Sequence, residues 1–76
     1  MSDTDAHTRK PTINATKLKK VRTKLGWPIP YLATRSGVSR SYLNEIELGS
    51  KLYPSDRVIE AIAESMGVKE QEIRWP

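Results

Sequence analysis

Apolar residues along this chain recur at helical spacing and nowhere alternate with polar ones over a strand's length. Leu18, Val21 and Leu25 fall three and four residues apart, after Ile13 and the good cap Asn14 and before Gly26. That stripe predicts an amphipathic first helix with a glycine stop. Pro28 and Pro30 come next, and proline suits a first helical turn, where its missing N–H has no partner to lose. A second helix is therefore expected from about Pro28 through Tyr31, Leu32, Ala33 and Thr34 to Ser36, closed by Gly37. Ser39 caps a third helix, with Leu43 and Ile46 as its apolar positions, Tyr42 beside them and Gly49 at its end. Ser55 caps a fourth, with Asp56 in its first turn, Val58, Ile59, Ile62, Ala63 and Met66 as its buried stripe and Gly67 as its stop. Val68 and Ile73 are expected to anchor a short fifth helix, with Trp75 and Pro76 trailing. Residues 1–12 are polar apart from Met1 and Ala6 and predict a disordered arm. Residues 13–76 then form one all-α domain of five short helices.

Composition narrows the function. Seventy-six residues allow one domain with a small core, which needs well-patterned helices or a second copy for support. There is no cysteine, and the single histidine, His7, sits in the polar arm as a solvated residue, so no metal site and no cofactor are expected. No apolar run has bilayer length and no signal peptide is evident, which predicts no membrane partner and a cytoplasmic or nucleoid-associated protein. The net charge of +4 is unevenly spread. Through Lys51 there are ten basic residues against four acidic ones, whereas from Leu52 onward there are three against five. One face is thus expected to meet a polyanion. The first helix carries Lys17, Lys19, Lys20, Arg22 and Lys24 with no acid from Asn14 to Gly26. Lysine near a helix N-terminus opposes the helix dipole, so this charge serves something other than helix stability.

The densest information lies between Leu32 and Glu47. Two helices crossing over a short turn need a small residue at the crossing, a positive φ in the turn and apolar contacts to hold the angle. Ala33 supplies the first and Gly37 the second; Leu32, Val38, Leu43 and Ile46 are spaced for the third. Ser39 starts the following helix. All these requirements are met in one register.

In these residues the chain resembles the Cro/phage-repressor (XRE-like) helix-turn-helix family. The resemblance covers about residues 14–73 and extends to Leu18-Lys19-Lys20-Val21-Arg22, the Glu47-x-Gly49 helix end, Pro54-Ser55 and Met66-Gly67-Val68. It implies a five-helix DNA-binding domain with its helix-turn-helix at helices 2 and 3. It also implies double-stranded DNA as partner, the third helix in the major groove, and pairing of two copies through the C-terminal helix on two-fold-related half-sites. The function so implied is transcriptional regulation, by a repressor or a phage or plasmid control protein.

Carried over residue by residue, the resemblance makes Arg40, Ser41, Asn44 and Glu45 the base-facing side chains. Arginine pairs bidentately with guanine and asparagine with adenine, while Glu45 either accepts from cytosine or holds Arg40 in place. Lys17, Lys19, Arg35, Tyr42 and Lys51 are the implied phosphate contacts; Tyr42 either bonds the DNA backbone or covers Val38 with its ring. Arg22 and Glu47 are implied as a structural ion pair. Ile73, Trp75 and the acidic Glu70 and Glu72 are candidates for pairing, and Trp75 is equally suited to capping the chain's own core.

The pattern departs at the start of helix 2. Where the family places a Ser or Thr cap and a polar residue on phosphate, this chain has Pro28, Ile29 and Pro30. Trp27 to Tyr31 form an apolar cluster that either folds onto the core or offers a protein-binding patch. The second functional class is therefore an interaction module of the same fold, of antitoxin or anti-repressor type. An enzyme is not expected: the chain has no Ser-His-Asp set, metal-ligand cluster or phosphate-cradling glycine loop.

Overall fold

The computed structural model describes residues 12–75. Residues 1–11 of the expected arm, His7 among them, lie outside the described residues, as does Pro76. Four α-helices follow one another: α1 (Ala15–Lys24), α2 (Ile29–Ser36), α3 (Arg40–Leu48) and α4 (Asp56–Met66), then a 3-10 turn at Glu70–Glu72. Three helices start on side-chain caps, each satisfying a backbone N–H that has no partner within the helix. Asn14 Oδ1 accepts from the Lys17 N–H at 3.0 Å, Ser39 Oγ from Tyr42 at 3.1 Å and Ser55 Oγ from Val58 at 3.3 Å. Pro28 opens α2 without such a bond. The turn between α2 and α3 is set by Gly37 at φ 77°, whose N–H donates to the Ala33 carbonyl at 2.9 Å. Nothing lies within 4 Å of where a Cβ would stand, so backbone conformation alone calls for glycine there.

The core gathers one stripe from each helix. Leu18, Leu32, Leu43, Ile46, Ile59, Ile62 and Ile73 are fully buried, with Ile13, Ala63 and Met66 around them. α2 packs on α4 and on α3, and α1 packs on α3. Leu25, the last residue of the α1 stripe, is exposed, because the helix ends at Lys24 and Gly26 turns the chain away.

The fifth helix of the sequence reading is a three-residue 3-10 turn, so the described residues hold four α-helices. The reason lies at the other end of the chain. Ile13 and Arg74 form an antiparallel bridge, and the Asn14 N–H donates to the Ile73 carbonyl at 2.8 Å. With that carbonyl engaged by Asn14 and its own backbone at φ −125°, ψ 0°, Ile73 ends the turn and does not extend it into a helix. Ile73 is thereby drawn fully into the core, which removes it from any surface on which two copies would meet; Trp75 is partly exposed. Thr12 is tied in as well, its N–H donating to the Leu52 carbonyl at 3.0 Å and its hydroxyl to that of Pro54 at 3.2 Å.

Candidate nucleic-acid interface

The amphipathic pattern of α3 decides which of its side chains face outward. Leu43 and Ile46 are fully buried, so the helix can present only its opposite side to a partner. Arg40, Ser41 and Asn44 occupy that side and are exposed. None has a side-chain hydrogen bond or ion pair among the described residues. A guanidinium, a hydroxyl and an amide are therefore left uncommitted on the first half of one helix. Glu45 is half-buried and makes no ion pair with Arg40, so its suggested role as a holder of Arg40 is not seen. Its carbonyl is engaged, accepting the N–H groups of Ser50 at 2.8 Å and Lys51 at 3.2 Å as the chain leaves α3.

The remaining cations separate by position. Lys51 is exposed in the loop after α3, and Lys19 is exposed on α1 near Glu47 at the far end of α3. Lys17 belongs to another side of the molecule, where it lines a hollow with Lys20, Lys24, Gln71 and Glu72 and its Nζ donates to the Arg74 carbonyl at 3.4 Å. Arg35 is likewise apart from the α3 face. Its guanidinium stands over the rings of Trp27 and Tyr31, 5.8 and 5.9 Å from their centres, within reach of a cation–π attraction. At 3.6 residues per turn it lies about 120° around α2 from Ile29, which with Pro30 lines a cleft with α3 residues. Tyr42 is half-buried against the core, which favours its ring as a cover.

The apolar cluster is split between core and surface. Trp27 packs on the core and meets Tyr31 edge to face, with ring centres 4.8 Å apart. Trp27 and Ile29 are thus used inside the domain, while Pro28, Pro30 and Tyr31 are exposed.

Arg22 and Glu47 form the expected pair, with Nε to Oε2 at 2.6 Å and Nη2 to Oε1 at 2.8 Å. Both side chains are nearly buried, 11% and 7% exposed. The hydrogen bonds that Arg22 donates to Glu47 raise its pKa above the ordinary guanidinium value; burial acts against them and the Glu47 charge with them. The pair fixes α1 to the end of α3, and so fixes the tilt of the outward face.

Sequence reading missed two features, one at this face and one away from it. Ile29 and Pro30, at the start of α2, line a cleft of about 220 Å³ together with Arg40, Ser41 and Asn44. The only signal was the unusual Pro-Ile-Pro itself. Arg74 also joins Asp56 at 2.9 Å and Glu70 at 2.9 Å, clasping the C-terminal segment to the start of α4. Glu70 lies four residues before Arg74, a spacing at which helical ion pairs form, whereas nothing singles out Asp56, 18 residues away.

Among the described residues no helix is long and apolar enough to cross a membrane. No curated protein sequence matches the chain. Among solved structures it is similar to the restriction-modification controller protein C.AhdI from Aeromonas hydrophila. The TM-score is 0.73 at 29% identity, over 76% of this chain and 86% of that one. Residues 18–73 match the Helix-turn-helix family. Since that match spans most of the chain and includes both helices around Gly37, the protein belongs to the XRE-like Helix-turn-helix family of DNA-binding transcriptional regulators.

Proposed function

We propose that the protein is a sequence-specific control protein that lays α3 in the major groove of double-stranded DNA. Arg40, Ser41 and Asn44 read base edges, Glu45 borders them, and Lys19 and Lys51 meet phosphates on either side. The observation that carries this reading is the state of Arg40 and Asn44: exposed, uncommitted, and on a helix whose other side is locked into the core. Arginine and asparagine in that setting supply the bidentate donors and acceptors that guanine and adenine present in the major groove. Lys17 and Arg35 fit phosphate contact less well, since one leans on the C-terminal segment and the other on two aromatic rings. The likeness to a restriction-modification controller supports a small control protein, either a repressor or a phage or plasmid control protein. Residues 13–76 act as the DNA-binding domain behind an N-terminal arm, and two copies pair through the C-terminal segment, with Trp75 as the apolar group it offers.

Selection of binding sites from random duplexes with purified protein tests the whole reading. An enriched sequence of two inverted half-sites is the expected result, with log affinity falling linearly as log salt rises. Retention of every sequence alike would remove base reading, and no retention at low salt would remove DNA as the partner.

A further inference from the structure

The start of α2 is built unlike a phosphate-binding helix end. Pro28 and Pro30 have no N–H, Ile29 has no polar side-chain atom, and no side chain caps this terminus. Such an end has little to offer an anion. It nevertheless forms one wall of the cleft whose other wall is Arg40, Ser41 and Asn44. Polar donors and an apolar surface thus face the same space of about 220 Å³. A ligand group that fits must carry hydrogen-bonding edges and an apolar projection side by side. The major groove has one such projection, the C5 methyl of thymine, which stands next to base edges of the kind arginine and asparagine read.

We infer that Ile29, with Pro30 beside it, contacts a thymine methyl adjacent to the bases met by Arg40 and Asn44, and so sets sequence preference at a position that no hydrogen bond reads. The inference rests on the proposed DNA-binding mode. Ile29 is half-buried, so its side chain is held by the core at one end while the other borders the cleft. A wall held in this way favours a methyl over a bare ring edge without ordering a new side chain.

The test is a scan of the selected duplex in which each thymine in turn is replaced by deoxyuridine, which removes only the methyl. Wild-type protein is expected to lose about fourfold in affinity at one position per half-site, the size of one buried methyl contact. Ile29→Ala is expected to lose at least as much on the thymine duplex and to be indifferent to deoxyuridine there. Ile29→Gln is expected to lose the same discrimination. Should Ile29→Ala fold poorly by thermal melting, Ile29→Val serves in the same cycle with a smaller difference, and the wild-type scan needs no variant. A selected site with no thymine near the Arg40 position, a wild type indifferent to every deoxyuridine, or losses that simply multiply would each overturn the contact while leaving DNA binding intact. Failure to select any sequence would instead overturn the binding mode itself.

Discussion

Arg22 and Glu47 meet through two parallel hydrogen bonds of 2.6 and 2.8 Å, and the third arm of the same guanidinium donates to the Trp27 carbonyl at 2.7 Å. One side chain thereby joins α1, the loop before α2 and the last turn of α3. Removing either partner leaves a charge with little water to solvate it, so Glu47→Ala or Arg22→Ala should cost about 3 kcal/mol in urea unfolding. The double variant Arg22→Met, Glu47→Leu should cost less than the sum of the two, because it leaves neither charge stranded. Additive losses would mean that the pair is not coupled. The Arg22 pKa is higher folded than unfolded, so its contribution is whole below the unfolded value and fades only as pH rises through the folded one. No loss from Arg22 is expected in the neutral range.

Gly37 offers a cleaner test of the turn. A side chain there meets open space, so the cost of substitution is the left-handed backbone alone. Gly37→Ala is expected to lower stability by about 1 kcal/mol, and Gly37→Val by more, since a β-branched residue resists positive φ. A melting temperature unchanged in both would show that the turn tolerates another conformation.

These two sites mark how far local signals carried. Ala33, Gly37 and Ser39 were legible because each answers a demand of the chain within a few residues of itself: a close crossing, a positive φ, a free N–H. The caps Asn14 and Ser55 were legible for the same reason. Ile73 was not. Its burial depends on Ile13 and Asn14, about 60 residues away, and a periodicity of a few residues cannot report a bridge across the whole domain. The stacking of Arg35 was not legible either: the rings of Trp27 and Tyr31 reach it only once the loop has folded back. On the α3 face, the outward side of Arg40 and Asn44 followed from Leu43 and Ile46. The cleft with Ile29 required coordinates, because it arises from two helices meeting.

Ile73 and Trp75 separate core from surface at the C-terminus. Ile73→Ala removes a fully buried side chain and is expected to destabilise by about 2–5 kcal/mol. Trp75→Ala should change monomer stability far less, and if two copies pair through this segment it should raise the dimer dissociation constant. Equilibrium sedimentation beside thermal melting distinguishes the two effects. A Trp75 variant that melts much earlier while its association is unchanged would assign that ring to the chain's own core.

Arg40 and Lys51 should respond differently to one measurement, the dependence of affinity on salt. Arg40 stands in the cleft at the start of α3, so Arg40→Ala should weaken the selected site by about 1–3 kcal/mol and leave random duplex nearly untouched. Lys51 is exposed on the loop beyond α3, and as a phosphate contact it releases counterions without reading bases. Lys51→Ala should therefore weaken all sequences alike and reduce the slope of log affinity against log salt by about one. If Arg40→Ala shows the uniform loss, Arg40 is bound to phosphate, and the base-reading side of α3 must be sought further along it, at Asn44.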